Sequence, residues 1–222
     1  MSKPNGCFIT FEGGEGSGKT TQARRLADRL ELMGKEVVLT REPGGSPGAE
    51  AMRHLLLCGV IKPLGPEAEA IVFAAARDDH VSTLIRPALA RGAWVICDRF
   101  IDSTRVYQGA LGNVDHRLIR GLERLVVGDT MPDLTIILDV SPEIGLARAE
   151  RRGSADRFEA EDMEYHRLLR AAYREIAERE PGRCVLMDAS AGADALAVRI
   201  WMTVSERLLR QRQPLAAPRA AG

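Results

Sequence analysis

Eight consecutive residues near the start of the chain have the types and spacing that cradle a chain of phosphates. They run from Gly13 to Thr20 as GGEGSGKT and match the pattern G-x-x-x-x-G-K-[ST]. Glycines let successive backbone N–H groups turn inward around a phosphate, and the N-terminus of a following helix adds partial positive charge. The nucleotide-binding residues predicted here are Gly13, Gly14, Glu15, Gly16, Ser17, Gly18, Lys19, Thr20 and Thr21.

Two side chains carry the chemistry of this loop. Lys19 is expected to bridge the β- and γ-phosphates of a nucleoside triphosphate, while the Thr20 hydroxyl ligates Mg²⁺. The motif indicates ATP or GTP but leaves the reaction open, because switch GTPases, motor ATPases and small-molecule kinases all share it.

Charged residues also follow two other strand-like runs. Arg41 follows EVVLT and precedes a Pro-Gly-Gly turn, where an arginine can face a second phosphate with two hydrogen bonds. Asp98 and Arg99 follow AWVIC. A carboxylate in this position is typical of an Mg²⁺ ligand, and a cation beside it is suited to lie between two phosphates that must approach each other. The alternatives are a solvated arginine at 41 and a structural ion pair at 98–99.

A predicted helix carries two groups suited to a second nucleotide. Phe73 and Arg77 are four residues apart and share a face, so a base could stack on the ring while the guanidinium meets a phosphate. Spacing alone fits a core phenylalanine beside a surface arginine equally well.

The segment STRVYQG has the polar groups needed to recognise a base and its sugar. On a helical turn, the first and fifth of its residues share one face, as do the second and sixth. The residues concerned are Ser103, Thr104, Tyr107 and Gln108.

Arginines cluster in a segment that contains glycine. Arg148, Arg151 and Arg152 form a basic face at spacings i, i+3 and i+4, and GSADR follows with Arg157. Small residues between arginines predict a mobile lid over about 148–160 that delivers positive charge. A solvated basic helix end is the alternative.

The elements that must position these groups alternate between strand and helix. Continuously apolar runs predict strands covered on both faces at 7–11, 36–40, 93–97, 134–140 and 184–187. Helical patterns lie at about 19–33, 48–57, 66–91, 115–127, 142–152, 160–180 and 192–210. This order predicts an α/β fold of the P-loop NTPase type, with a parallel five-stranded sheet flanked by helices and a small mobile lid. We expect one domain over 1–210 and a frayed tail over 211–222.

Composition limits the function classes. The 222 residues carry no net charge, which argues against bulk electrostatic binding to nucleic acid or a membrane surface. The chain contains no apolar run near the ~20 residues that span a bilayer, and no signal-peptide core. Its four cysteines form no CxxC pair and fit free thiols in a reducing cytoplasm. We find no cluster with metal-ligand spacing, so nucleotide-borne Mg²⁺ is the expected metal.

The order and spacing of these blocks resemble the bacterial thymidylate kinase family from Phe11 to about Ser190. The segments that carry the resemblance are the phosphate loop with Phe11 and Glu12, REPGG at 41–45, residues 73–77, Asp98-Arg99, STRVYQG at 103–109, the arginine-rich stretch 148–157 and Asp188-Ala189-Ser190. The resemblance implies transfer of a phosphoryl group from ATP to dTMP in dTTP biosynthesis, with Mg²⁺, by a cytoplasmic homodimer.

The resemblance also implies roles for the acceptor-side residues. Phe73 would stack on thymine, Arg77 would bind the acceptor phosphate, and the loop with Arg41 would help to hold the acceptor nucleotide. Thr104 would contact the base, and Tyr107 would lie where a ribose 2′-hydroxyl clashes. Glu15 would contact the sugar 3′-hydroxyl.

Two further implications concern ATP and the lid. The family has one catalytic style with an arginine in the phosphate loop and another with the arginine in the lid. Gly16 stands at the loop position here, so the chain resembles the lid-arginine style, with Arg148, Arg151 and Arg152 as candidates beside Lys19 and Arg99. Asp188 and Ser190 would border the adenine.

Two rival functions remain at this point. One is a kinase for another nucleoside monophosphate, against which the combination of Phe73, Thr104 and Tyr107 argues. The other is a P-loop regulator that binds partners and makes no product, against which we note the absence of a guanine-reading N-K-x-D motif.

Overall fold

The computed structural model describes residues 6–151, 153 and 161–210. Its strands are β1 (Cys7–Gly13), β2 (Val37–Arg41), β3 (Trp94–Asp98), β4 (Leu134–Asp139) and β5 (Cys184–Asp188). Its α-helices are α1 (Lys19–Leu32), α2 (Pro47–Leu57), α3 (Pro66–His80), α4 (Arg86–Ala90), α5 (Ile101–Thr104), α6 (His116–Val126), α7 (Pro142–Glu150), α8 (Met163–Arg179) and α9 (Ala193–Val204). A 3₁₀ turn covers Lys62–Leu64, and π-helical segments cover Val81–Ile85, Arg105–Leu111 and Ser205–Leu209.

The five strands form one parallel sheet in the order β2-β3-β1-β4-β5, as predicted from their continuously apolar runs. All seven residues of the central strand β1 are buried, because helices cover both faces of the sheet. The register pairs Phe11 of β1 with Asp98 of β3. The phosphate loop and the Asp98-Arg99 pair therefore leave the sheet at the same edge.

Alternation along β1 divides its side chains between two cores. Ile9 and Phe11 pack with α1 and α9 on one face, whereas Phe8 packs with α3, α4 and Phe100 on the other. Glu12 has the same parity as Phe8, so its carboxylate points to the face that carries α5 and α8. The C-terminal end of β1 thus brings the acidic side chain of Glu12 into the interior beneath the phosphate loop.

The predicted helix boundaries are confirmed to within a few residues, and cap residues account for several of the observed ends. Gly34 has φ 75°, the left-handed conformation expected after α1. The Ser141 hydroxyl accepts a 3.4 Å hydrogen bond from the amide of Ile144 at the start of α7. The helix predicted from 160 begins at Met163 instead, because the Asp162 carboxylate caps it by accepting from the amide of Tyr165.

Three helices differ from the sequence prediction in detail. The helix expected over 66–91 contains a π-helical turn at Val81–Ile85, just before Pro87, which has no N–H to donate into an α-helical ladder. The helix expected over 192–210 turns π-helical at Ser205. The helical turn predicted around 103–108 is part of a longer helical segment outside the predicted helix ranges, which consists of α5 and a π-helical continuation.

Cys7, Cys97 and Cys184 are buried free thiols as expected, and Cys58 is exposed. Within the described residues, we find no helix that is both long and apolar enough to cross a membrane.

Candidate active site

The phosphate loop joins β1 to α1, and its glycines adopt conformations that other residues avoid. Gly16 has φ 62° and Gly18 has φ 94°. A Cβ atom on Gly16 would lie 1.8 Å from the carbonyl oxygen of Gly145 in α7. The resemblance to the family places Gly16 where one catalytic style would have an arginine. The structure adds that a side chain there would require the loop or α7 to move, because the loop backbone contacts α7 directly.

Lys19 lies beneath the loop and is almost fully buried. Its ammonium donates to the carbonyl oxygens of Gly13 at 3.0 Å and Gly14 at 2.8 Å. Burial, together with the nearby Arg99 guanidinium, lowers the pKa of Lys19, while Glu15 and other carboxylates oppose the shift. This concentrated positive charge suits the binding of a polyphosphate.

Thr20 and Asp98 bring two oxygen atoms together where β1 and β3 end. The Thr20 hydroxyl donates a hydrogen bond to Oδ2 of Asp98. A hydroxyl and a carboxylate beside a phosphate loop form the hard oxygen donor set that Mg²⁺ prefers, so these residues fit the ion. Thr21 follows as an exposed residue in the first turn of α1.

Arg99 has a different partner from its neighbour Asp98, so the two do not act as one structural ion pair. The Arg99 guanidinium forms an ion pair with the Glu15 carboxylate of the phosphate loop. Its Nη1 atom is 3.4 Å from the carbonyl oxygen of Gly13. Its central carbon is 5.2 Å from the centre of the Tyr107 ring. The guanidinium thus lies between the phosphate loop and the π-helical segment Arg105–Leu111.

Glu15 is bonded on two sides. Its carboxylate forms an ion pair with the Arg99 guanidinium and accepts a 2.8 Å hydrogen bond from the Tyr107 hydroxyl. Burial alone would raise the pKa of Glu15, but the charges of Arg99 and Lys19, with the Tyr107 hydrogen bond, lower it to about 2. The carboxylate is therefore ionised at neutral pH and is held in one position.

Ser103 and Tyr107 face the same region, as the i, i+4 spacing predicts, whereas Thr104 faces α3. The Ser103 hydroxyl donates to Glu12 at 2.7 Å, and the Thr104 hydroxyl accepts from Arg77 at 3.0 Å. Gln108 is buried and, with Tyr107, lines a cavity of about 250 Å³ that also borders Glu69 and Tyr165.

Arg77 is the most completely enclosed of the predicted acceptor-side residues. Only 2% of its side chain is exposed, and it forms an ion pair with the Glu42 carboxylate at 2.7 Å. Phe73 is half-buried one turn earlier on α3. The assignment of the acceptor phosphate to Arg77 stays a prediction, and the structure adds that Glu42 already holds this guanidinium.

Arg41 lies at the end of β2 and is half exposed. Its guanidinium donates to the Glu50 carboxylate of α2 at 2.9 Å. A second arginine, Arg53 of α2, donates to the carbonyl oxygen of Pro43 at 2.6 Å in the same turn. Sequence reasoning missed Arg53, although its position three residues after Glu50 places both on one helical face.

Sequence reasoning also missed Glu12 and Glu42, which are buried carboxylates at the ends of β1 and β2. The Glu42 carboxylate is hydrogen-bonded to Arg77 and His80. The Glu12 carboxylate accepts hydrogen bonds from three residues. The available signal was a glutamate in or directly after an apolar strand, where a charged residue requires partners.

The lid arginines divide between described and undescribed residues. Arg148 donates to the carbonyl oxygens of Ala189 at 2.9 Å and Ser190 at 3.2 Å, and so reaches the loop after β5. Arg151 is exposed at the end of α7. Arg152, Arg157 and most of the predicted lid lie outside the described residues, as does the predicted tail over 211–222.

The loop after β5 contains the remaining predicted nucleotide-binding residues. The Asp188 carboxylate accepts a 2.8 Å hydrogen bond from the amide of Ser190, which closes a short turn. The two carbonyl groups that follow Asp188 are those that Arg148 contacts. The start of the lid and the predicted adenine loop are therefore in direct contact.

Together, the parallel sheet, the strand-loop-helix phosphate site and the cationic centre beside it define a nucleotide-binding protein with the P-loop NTPase fold. The family model described as thymidylate kinase matches residues 11–200. The chain belongs to the thymidylate kinase family.

Individual relatives agree with this assignment. The chain is 59% identical over 211 residues to the thymidylate kinase of Bradyrhizobium diazoefficiens, covering 94% of this chain and 92% of that one. It is 61% identical over 208 residues to the thymidylate kinase of Rhodopseudomonas palustris, covering 92% and 90%. The crystal structure of thymidylate kinase from Ehrlichia chaffeensis superposes with a TM-score of 0.73 at 37% identity, covering 90% of this chain and 99% of that one.

Proposed function

We propose that the protein transfers the γ-phosphoryl group of ATP to dTMP, giving ADP and dTDP for dTTP synthesis. Its family membership supports this reaction, and one observation carries the proposal. The Arg99 guanidinium lies between the phosphate loop, where it contacts Gly13 and Glu15, and Tyr107 of the π-helical segment Arg105–Leu111. A cation in this position reduces the repulsion between two phosphate groups that must come within bonding distance.

The chain's own residues supply positioning and charge. In this proposal the loop amides and Lys19 hold the β- and γ-phosphates, and Arg99 receives the acceptor phosphate. The attacking oxygen of dTMP is already ionised, so the reaction requires no strong general base. Catalysis then depends on how precisely these cations are held.

Thr20 and Asp98 would hold an Mg²⁺ ion that accompanies ATP. Their hydroxyl and carboxylate oxygens fit such an ion, and Oγ1 of Thr20 is bonded to Asp98. When bound, the ion would neutralise charge on the phosphates.

Acceptor recognition is assigned to one cluster of side chains. Phe73 would stack on the thymine, and Thr104 and Gln108 would provide polar contacts to the nucleotide. Glu15 would accept a hydrogen bond from the 3′-hydroxyl, which suits its low pKa. Arg41, Arg77 and Ser103 are the other residues that we propose for binding the acceptor nucleotide.

We assign the lid arginines different roles. Arg148 would hold the lid against the adenine loop of Asp188 and Ser190, since it already contacts two carbonyl groups there. Arg151 and Arg152 are then the candidates that reach the transferring phosphoryl group.

The experiment is a reaction panel in which ATP and Mg²⁺ are combined separately with dTMP, dUMP, UMP, CMP, AMP and GMP. Chromatography measures ADP and each diphosphate product. We expect dTDP to form fastest, in equal amount to ADP. Faster product formation from another monophosphate would make this a different nucleotide kinase. Release of inorganic phosphate without any diphosphate would indicate a P-loop ATPase or regulator instead.

We also propose that the protein works as a homodimer that joins through α2, α3 and α6. These helices are neighbours in the fold, and each exposes a large apolar side chain, namely Leu55, Ile71 and Leu125. Sedimentation of the wild type and of Ile71→Glu tests this proposal. We expect a dimer that the substitution converts to monomer, with Leu32→Glu on α1 as the exposed apolar control.

A further inference from the structure

Glu12 is fully buried directly beneath the phosphate loop, and four donors surround its carboxylate. Oε1 accepts from the amides of Phe100 at 2.8 Å and Ser103 at 3.2 Å. Oε2 accepts from the Ser103 hydroxyl at 2.7 Å and from the Tyr173 hydroxyl at 3.1 Å. One side chain therefore ties β1 to the start of α5 and to α8.

Arg99 immediately precedes Phe100, the first of the residues that bond to Glu12. Its φ of 68° is left-handed, a conformation that costs free energy for any residue with a Cβ atom. Bonds to β1 on both sides hold this backbone in place. The Arg99 amide donates to the carbonyl oxygen of Phe11 at 2.9 Å, and the next amide, of Phe100, donates to Glu12.

The Arg99 side chain depends on the same cluster. Its Nη1 atom is 3.4 Å from both the Ser103 hydroxyl and the Tyr173 hydroxyl, the two groups that bond to Oε2 of Glu12. Glu12 therefore contacts both the backbone that follows Arg99 and the hydroxyl groups that flank its guanidinium.

A buried carboxylate in this place is costly for folding. Burial, together with repulsion from Asp102, raises the pKa of Glu12 to about 7. An apolar side chain at the end of β1 would avoid this cost. The four bonds of this carboxylate offset part of that cost and hold the surrounding backbone and hydroxyl groups in place.

We propose that Glu12 is a positioning residue for phosphoryl transfer, which fixes Arg99 in its left-handed conformation through Phe100, Ser103 and Tyr173. This inference rests on the proposed function, because Arg99 is the group through which Glu12 acts. Glu12 itself does not touch the substrates.

The test is a double-mutant cycle on the rate of dTDP formation. Glu12→Asp keeps the charge but shortens the side chain, so it withdraws the acceptor from Phe100 and Ser103. Glu12→Gln keeps the reach. For Glu12→Asp we expect kcat to fall about 100-fold, the scale of a misplacement near 1 Å, with little change in KM for ATP. Glu12→Gln should lose less.

The second side of the cycle uses Arg99→Ala. In that background, Glu12→Asp should cause no further loss of kcat, because the group that it positions is already absent. Asp133→Asn is the matched control, since Asp133 accepts from the amide of Phe8 near the opposite end of β1. It should change stability and leave kcat unaltered.

Equal losses from Glu12→Asp in both backgrounds would overturn the inference, and so would a larger loss in Glu12→Gln than in Glu12→Asp. Should Glu12→Asp not fold, the same cycle with Glu12→Gln decides. Failure of the proposed function has a different signature, since the wild type would then produce no dTDP. Full activity in Arg99→Ala would refute both the role of Arg99 and the inference that depends on it.

Discussion

The hydroxyl group of Tyr107 donates a 2.8 Å hydrogen bond to the Glu15 carboxylate. This bond joins the π-helical segment Arg105–Leu111 to the phosphate loop, across 92 positions of sequence. It brings together the two residues that we assign to the neighbouring 2′ and 3′ positions of the acceptor sugar. A sugar bound here would meet a ring and a carboxylate that hold each other in place.

Tyr107 should make the enzyme prefer deoxyribose. The ring is buried and bonded to Glu15, so it cannot easily move away from a 2′-hydroxyl group. We expect wild type to prefer dTMP over its ribose analogue by about tenfold or more in kcat/KM, and Tyr107→Ala to lose most of that preference. Tyr107→Phe keeps the ring and serves as the control. An equal rate with both sugars in wild type contradicts this assignment.

Lys19→Ala should abolish transfer and leave the fold intact. Within the described part of the chain, the ammonium contacts groups of the phosphate loop, namely the carbonyl oxygens of Gly13 and Gly14 and the Ser17 hydroxyl. The packing of the sheet therefore does not depend on it. Loss of a positioned cation should lower kcat/KM by at least about 100-fold. Turnover and thermal unfolding are compared with those of Lys35→Ala, an exposed lysine. Near-normal turnover in folded Lys19→Ala would refute the phosphate-loop assignment.

Gly16→Ala should damage the active site although it adds a single methyl group. The new Cβ would lie 1.8 Å from the carbonyl oxygen of Gly145 and would require φ near 62°. Either the loop or α7 must move, so we expect about a 100-fold loss of kcat. Gly182→Ala, where a Cβ meets no atom within 4 Å, is the control. Unchanged activity in Gly16→Ala would show that the contact with α7 yields at no cost.

The lid arginines should separate into a binding role and a catalytic role. We expect Arg148→Ala to raise KM for ATP, because it releases the loop that contains Ser190. At least one of Arg151→Ala, Arg152→Ala and Arg157→Ala should lower kcat by about 100-fold or more, with KM for dTMP little changed. Steady-state kinetics with both substrates decide. Losses that appear only in KM in all four variants would make this stretch a basic surface without a catalytic role.

Glu15 should add a stability term that acid removes. Its pKa falls from 4.5 to about 2 on folding, so the ionised form stabilises the folded state fully above about 4.5. This contribution, roughly 3 kcal/mol in the free energy of unfolding, disappears as the pH falls toward 2. Denaturant unfolding of wild type and Glu15→Gln should therefore differ at pH 6 and converge near pH 2. A difference that is constant with pH would contradict the low pKa.

Sequence alone determined the fold class and predicted most of the candidate site residues, because both depend on local patterns of residue type and spacing. Continuously apolar runs predict strands covered on both faces, and the motif at Gly13–Thr20 is of the type whose backbone cradles phosphate. The order of the blocks around Arg41, Asp98 and Tyr107 is enough by itself to indicate the family.

Tertiary structure decided which partner each charged side chain has, because those partners lie far apart in sequence. The spacing of Phe73 and Arg77 gave no sign that Glu42 holds the guanidinium, and the spacing of the lid gave no sign that Arg148 reaches Ala189. Glu12 was visible only as part of a strand-end motif. Its role depends on a parallel register that sets the end of β1 beside that of β3, and on a left-handed turn at Arg99, which no periodicity records.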